Sequence, residues 1–92
     1  MKKQIGNIRI RPNPGSENQP AHYEIDFLPY SGRLSTQTVR VNSYDDLVAF
    51  LIEFRISEDE ATRWAGRARN AVVLIPSVER SDEQLKESGL MV

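Results

Sequence analysis

The amino-acid sequence predicts an α+β domain in which helices pack mainly on one face of an antiparallel sheet. Apolar and polar residues alternate with a period of two in three segments of the first half, as is typical of half-buried strands. Three later segments begin with a serine that can cap a helix, and one continuous apolar run ends at Pro76. The predicted order is β-β-β-α-α-β-α within a single domain, residues 1–92.

The three predicted strands form an antiparallel meander with one face toward the core. They span residues 4–11, 22–30 and 34–42, and they are joined by a proline-rich loop and by a turn at 30–33. The core face is expected to be apolar, and its predicted members are Ile8, Ile10, Tyr23, Ile25, Phe27, Val39 and Val41.

Residues 43–54 are predicted to form the central helix, because this segment is heavily apolar and begins with a capping signal. Ser43 can accept a hydrogen bond from the first turn, where two aspartates also favour the positive end of the helix dipole. At about 100° per residue, the apolar side chains cover roughly 200° of the helix surface. A helix that packs against one neighbouring surface needs an apolar stripe of only about 100°. We therefore expect the sheet and the second helix, or a companion chain, to enclose this helix together.

The second helix is predicted from Ser57 to about Arg69, because Ser57 and the glutamate three residues later form a capping box. Alanines and Trp64 share one face at helical spacing, so this helix is expected to pack closely on its neighbour. Gly66 weakens a helix interior by about 1 kcal/mol relative to alanine, so we expect close packing or a bend there. Asn70 is expected to end the helix in the left-handed conformation.

A fourth strand and a short last helix complete the predicted fold. The run 71–75 is continuously apolar and rich in β-branched residues. Such a run indicates a strand buried on both faces, or an extended segment beside the sheet edge. The last helix, residues 81–89, combines a capping box of Ser81 and Gln84 with Gly89, the favoured residue after a helix end.

Composition and missing motifs restrict the function classes. Twelve basic and thirteen acidic residues give a formal charge of −1, which supplies no long-range attraction to nucleic acid or to an anionic membrane. Cysteine is absent, which removes disulfides, thiolate metal sites and a cysteine nucleophile. No glycine-rich nucleotide loop is present, and no segment approaches the roughly 20 apolar residues of a membrane span. We expect a cytoplasmic, non-enzymatic protein with no cofactor and no metal.

Three polar residues of the second predicted strand are the candidates for catalytic chemistry. His22 is the only histidine, and no serine motif is present to partner it, so we interpret it as a surface residue. Glu24 and Asp26 would lie roughly 7 Å apart on one strand face, where they could form an acid–base pair in a pocket. The alternative, which we favour, is a ladder in which both acids pair across an exposed sheet face. The expected ladder partners are Arg9, Arg11, Thr38 and Arg40.

The arginine cluster of the second helix, Arg63, Arg67 and Arg69, is the feature most suggestive of binding. Arg63 and Arg67 are expected to stack on the face away from Trp64, with Arg69 toward the other edge. A solvated helix face is sufficient to explain these charges. A patch that binds a phosphate or a protein partner is the alternative.

Three functions are compatible with these patterns. The first is a protein-interaction domain that also contacts a second copy of itself, because the apolar segments 43–54 and 71–75 exceed what a short chain can cover. The second is nucleic-acid binding through the arginine cluster and the strand arginines, and the third is an enzyme that uses the two strand carboxylates. We rank them in this order.

Overall fold

The computed structural model describes residues 2–32 and 35–92. Within these residues it has four antiparallel strands and three helices in the predicted order. The strands are β1 (Lys3–Asn13), β2 (His22–Pro29), β3 (Val39–Val41) and β4 (Val73–Ser81). The helices are α1 (Tyr44–Glu53), α2 (Glu58–Ala68) and α3 (Asp82–Ser88). The predicted α+β class is confirmed.

The sheet has the strand order β3-β2-β1-β4, so the first three strands form the predicted meander and β4 returns to pair with β1. Every pairing is antiparallel, and the register places Ile8 opposite Phe27 and Ile10 opposite Ile25. β3 is shorter than the predicted strand 34–42. The first residue of that prediction lies outside the described residues, as does part of the turn before it.

The core lies between one face of the sheet and the helices. The two central strands contribute four fully buried side chains, and the helices contribute mainly leucines and alanines. The buried apolar residues are Ile8, Ile10, Ile25, Phe27, Leu47, Leu51, Phe54, Ile56, Ala61, Ala65, Ala68, Val73, Ile75, Val78, Leu85 and Leu90. Tyr23, Val39 and Val41, also predicted for the core, are partly buried and pack against this cluster.

Helix α1 is covered over only part of its apolar surface. Leu47 and Leu51 are fully buried, and Phe54 at the helix end is buried with them. Ile52 is 42% exposed, so the expectation that the whole apolar belt is enclosed is wrong at this residue. The close backbone contacts of α1 are with α2, and Ile52 lies outside the face of α1 that α2 and the core cover.

Arg55 ends α1 in the left-handed conformation, at φ 67°. The backbone N–H of Ile56 donates to the carbonyl of Leu51 at 3.0 Å, and that of Arg55 donates to the carbonyl of Ile52 at 3.0 Å. These two bonds form a Schellman motif, in which glycine usually occupies the position of Arg55. Left-handed backbone costs an L-residue about 1–2 kcal/mol, so Arg55 is a locally strained residue.

Two details of α2 differ from the sequence-based expectation. A Cβ on Gly66 would meet no atom within 4 Å, so the close packing expected at this residue is wrong, and the alternative of a bend stays a prediction. The helix ends at Ala68 and is followed by Arg69 at φ −60°. Asn70 does not have a positive φ, so the left-handed end expected there is also wrong. The buried face has the expected character, because its fully buried members are alanines and Trp64 packs partly buried beside them.

Gly66→Ala is expected to raise the free energy of unfolding by about 0.5–1 kcal/mol. The residue lies in α2, and an added methyl group there touches nothing, so the gain in helix propensity is not offset by a clash. Chemical denaturation measures the change. Gly89→Ala is the contrasting control and should lower stability, because Gly89 has φ +87° and its Cβ would lie 3.3 Å from Cγ2 of Val39. If Gly66→Ala instead lowers the free energy of unfolding, Gly66 does pack closely, as the sequence suggested.

β4 is an edge strand that is buried on one face only. Val73 and Ile75 face the core, whereas Leu74 between them is 49% exposed. The interpretation of 71–75 as a strand buried on both faces is therefore wrong, and the alternative position at the sheet edge is correct. The strand also continues beyond Pro76, across a shift in its register with β1.

Both ends of α3 form at the predicted residues. The N–H of Gln84 donates to Oγ of Ser81 at 3.1 Å, and the N–H of Ser81 donates to Oε1 of Gln84 at 2.9 Å. Gly89 follows the helix at φ 87°, and the N–H of Leu90 donates to the carbonyl of Leu85 at 3.0 Å. Since Leu85 and Leu90 are fully buried, this helix end anchors the following residues in the core.

Candidate functional site

The sheet face opposite the helices, here called the open sheet face, carries a ladder of charged residues. In the strand register Arg9 lies opposite Asp26, Arg11 opposite Glu24, and Glu24 opposite Arg40. Nη2 of Arg9 and Nη2 of Arg11 each lie 3.0 Å from Oδ2 of Asp26. Nη2 of Arg11 is also 3.5 Å from Oε1 of Glu24. The predicted ladder is confirmed for Arg9 and Arg11, whereas Arg40 lies opposite Glu24 but donates to Asn42 instead of forming an ion pair with it.

Asp26 is the centre of this ladder and is buried despite its place on the open sheet face. Arg9 donates to Oδ2 from Nε at 3.2 Å and from Nη2 at 3.0 Å, and the hydroxyl of Thr38 donates to Oδ1. Burial alone raises the pKa of this carboxyl. The hydrogen bonds from Thr38 and Arg9, together with the charges of Arg11 and Arg9, outweigh burial and lower the pKa below its ordinary value. Asp26 is therefore held in its ionised form.

His22 is 3% exposed, so its interpretation as a surface residue is wrong. Nδ1 lies 3.0 Å from the carbonyl oxygen of Pro20, and Nε2 lies 3.4 Å from Oε2 of Glu24. The carbonyl of Pro20 thus contacts one ring nitrogen, and His22 also lines a cleft described below. Within the described residues, neither ring nitrogen is hydrogen-bonded to a hydroxyl that it could activate as a nucleophile.

The two strand carboxylates are arranged as structural ion pairs. Glu24 and Asp26 both contact arginines, and neither of them lines either of the two main clefts described below. Within residues 2–32 and 35–92, no group of three histidine or acidic side chains is placed to hold a metal ion. This geometry favours the ladder over an acid–base pair in a pocket.

The members of the arginine cluster contact different parts of the molecule. The guanidinium of Arg67 lies 5.2 Å from the ring centroid of Trp64, so it does not point away from the tryptophan as expected. That of Arg69 lies 3.8 Å from the ring centroid of Tyr44, the first residue of α1. Arg63 is exposed. Arg69 therefore bridges two helices, and a joint binding role for the cluster stays a prediction.

A cleft of about 420 Å³ opens beside Arg69 and is here called the Arg69 cleft. It lies where the start of α1, the end of α2 and the residues before β2 meet. Its polar lining includes Asn13, Asn42 and Asn70, which come from three separate segments of the chain. Its apolar lining is made of prolines, an alanine and the rings of Tyr23 and Tyr44.

A second cleft, of about 260 Å³, lies between the end of α1 and α3. Phe50 and Phe54 stack there with ring centroids 6.0 Å apart. Arg80 donates from Nε and Nη2 to the carbonyl of Phe54, at 3.0 and 2.7 Å. Burial, and then the charge of Arg55, lower the pKa of Arg80. Because Arg80 satisfies a carbonyl at the end of α1, its position is explained by folding.

Two exposed apolar side chains lie at the start of β4, and a third lies on β1. Val72 is 59% exposed and Leu74 is 49% exposed, and Ile5 is exposed as well. Leu74 lies opposite Arg9 in the register, so it projects from the open sheet face. We call the outer side of residues 71–75, with Val72 and Leu74, the β4 edge.

Comparison with known proteins gives no match to a family model, to a curated protein or to a solved structure. In the described part of the chain, the helices are all too short or too polar to cross a membrane. The β4 edge, the open sheet face and the clefts are the surfaces of the molecule that bear on its function.

Proposed function

We propose that this chain is a non-enzymatic protein-interaction domain that pairs through the β4 edge, in the first place with the β4 edge of a second copy. The supporting observation is the exposure of Leu74 in β4, and of Val72 just before it, at a strand that has a partner on one side only within the described residues. An edge strand presents unpaired N–H and C=O groups, which makes it a template for strand addition.

A second copy suits the β4 edge because antiparallel pairing about a two-fold axis is self-complementary. Two such edges would join two sheets into one continuous sheet. Val72 and Leu74 of each copy would then cover apolar surface of the other, and cross-strand pairs of this kind contribute roughly 0.2–1 kcal/mol each. The formal charge of −1 leaves little repulsion between copies.

Pro76 restricts this pairing to the first half of β4. Proline has no N–H to donate, and the register shift bends the strand at this point. The resulting contact is small, below the roughly 1,200 Å² of standard interfaces. We therefore expect a reversible dimer with a micromolar dissociation constant rather than an obligate one.

The double variant Val72→Lys/Leu74→Lys is expected to raise the dissociation constant of the dimer at least about tenfold. Each lysine replaces an apolar contact with a charge that meets its counterpart across the two-fold axis, and lysines on edge strands oppose pairing. Sedimentation velocity between about 1 and 200 µM covers the expected affinity range.

Ile52→Lys is the matched control for this experiment. Ile52 is an apolar residue of similar exposure on α1, so its substitution should leave the association unchanged. A wild-type chain that is monomeric throughout the concentration range contradicts pairing with a second copy. An equal loss of association in Ile52→Lys would show that the interface lies on α1.

Nucleic-acid binding through the arginine cluster is the alternative function. The contact of Arg67 with the half-buried ring of Trp64 supports it, because arginines and aromatic rings both stack on bases. Arg9 and Arg11 support it less, since carboxylates already neutralise them. This function predicts retention on RNA or DNA at low salt that falls steeply as salt rises. Absence of retention at about 20 mM salt excludes it.

A further inference from the structure

We propose that the Arg69 cleft binds a small organic anion that carries a carboxylate or phosphate group on an apolar body. The inference does not depend on the β4 edge. It rests on the charge of the cleft, on the fixed position of its guanidinium, on the amide groups around it and on its apolar walls.

Arg69 gives the cleft a positive charge that the described residues leave uncompensated. No carboxylate lines the cleft, and none of the described carboxylates lies within 4 Å of the Arg69 guanidinium. This contrasts with Arg9 and Arg11, which are both paired on the open sheet face. In a chain of net charge −1, an unpaired arginine at the wall of a cleft favours an anionic ligand.

The Arg69 guanidinium is held in place before any ligand arrives. Its backbone is fixed at the end of α2 in a helical conformation, and its side chain lies over the ring of Tyr44 at 3.8 Å. Stacking uses the face of the guanidinium and leaves the N–H groups at its edge free. A fixed planar edge of this kind matches the paired oxygens of a carboxylate or phosphate.

Two of the three asparagines around the cleft have a side-chain oxygen that already accepts a hydrogen bond. Oδ1 of Asn13 accepts a hydrogen bond from the N–H of Gly15 at 2.9 Å, and Oδ1 of Asn42 accepts one from Nε of Arg40 at 3.4 Å. With their oxygens engaged, both side chains retain an NH₂ group for a ligand. Donors from two separate segments beside an arginine complement an oxyanion better than they complement a cation, or a neutral group with few acceptor atoms.

The apolar lining determines the remaining part of the ligand. Prolines, Ala21 and the ring of Tyr23 form much of the wall, and a volume of about 420 Å³ lies within the usual range for small-molecule sites. A bare inorganic ion would leave these walls in contact with water. A ring or short chain attached to the anionic group covers them.

Titrations followed by amide NMR shifts test this proposal with probes of known structure. Benzoate and phenyl phosphate should bind with dissociation constants of about 0.1–10 mM, and the comparison shows which anionic group is preferred. Benzamide, which is neutral and of similar shape, should bind at least about tenfold more weakly than benzoate. Acetate and inorganic phosphate should also bind more weakly, because they lack the apolar body. The shifts should centre on residues that line the cleft.

Substitutions at Arg69 separate ligand binding from a purely structural contact with Tyr44. Arg69→Gln should weaken benzoate binding at least about tenfold, and Arg69→Lys should weaken it less because the charge is kept while the paired donors are lost. Lys86→Gln removes the same charge from α3 and should change nothing. Absence of saturable shifts at about 20 mM probe, equal binding of benzamide, or unchanged binding by Arg69→Gln would each overturn the proposal.

Discussion

Phe27→Ala is expected to lower the free energy of unfolding by about 3–5 kcal/mol. Phe27 is fully buried on β2, opposite Ile8, on the core face of the sheet. Its truncation removes apolar contacts and leaves a cavity on the core face, which is slow to collapse because pairing with β1 holds the backbone of β2 in place at this residue. The 92-residue chain should have about 5–14 kcal/mol of stability in total, so the loss is a large share. Urea denaturation with comparison of m-values measures it.

Ile52→Ala is the control for this prediction and should cost less than about 1 kcal/mol. Ile52 is partly exposed, so truncation removes fewer contacts and leaves no closed cavity. A loss as large as that of Phe27→Ala would mean that the outer surface of α1 is buried in solution. In that case a companion chain would cover α1.

Local signals predicted the parts of the fold that depend on neighbours in the sequence. The capping box of Ser81 and Gln84 and the glycine at 89 define α3 because each acts within one or two helical turns. The ladder around Asp26 was predictable for a similar reason. Once two strands pair antiparallel, the period of two decides which side chains share a face, so arginines and acids meet across it.

Coverage by tertiary neighbours was not predictable from the same patterns. The apolar arc of residues 43–54 shows how many apolar side chains the helix carries. It does not show which neighbouring surfaces are available to cover them, and this explains the error at Ile52. The run 71–75 likewise indicates a strand without fixing its place in the sheet. Only the pairing of β4 with β1 shows that Leu74 is left at an edge.

The candidate site was only partly visible in the sequence. Helical spacing grouped Arg69 with the other two arginines of α2, but packing places it on Tyr44 of α1. The Arg69 cleft needs residues from three distant segments, and no spacing rule connects Asn13, Asn42 and Asn70.

Asp26→Asn is expected to lower the free energy of unfolding at pH 7 by about 1–3 kcal/mol. The substitution removes the charge that Arg9 and Arg11 share, and it leaves both guanidiniums without their closest carboxylate. Asparagine keeps the size of the side chain and one acceptor for Thr38, so the change is mainly electrostatic. Chemical denaturation of both proteins over a range of pH provides the measurement.

The lowered pKa of Asp26 gives this prediction a pH dependence with a definite sign. The folded protein binds the Asp26 proton more weakly than the unfolded chain, in which an aspartate has a pKa of about 3.9. The stabilisation is therefore fully present above that value, and it is lost as the pH falls through it toward the lower folded pKa. The stability difference between the wild type and Asp26→Asn should consequently shrink between about pH 5 and pH 3.

Glu17→Gln provides the matched control, because Glu17 is an exposed acid in the loop before β2 and makes no ion pair within the described residues. Its stability should follow that of the wild type across the whole pH range. A difference between the wild type and Asp26→Asn that grows with acid would show that the folded state raises the Asp26 pKa, which would mean that burial outweighs the arginines. A difference that shrinks as expected assigns to the Arg9–Asp26–Arg11 contacts a measurable part of the fold's acid stability.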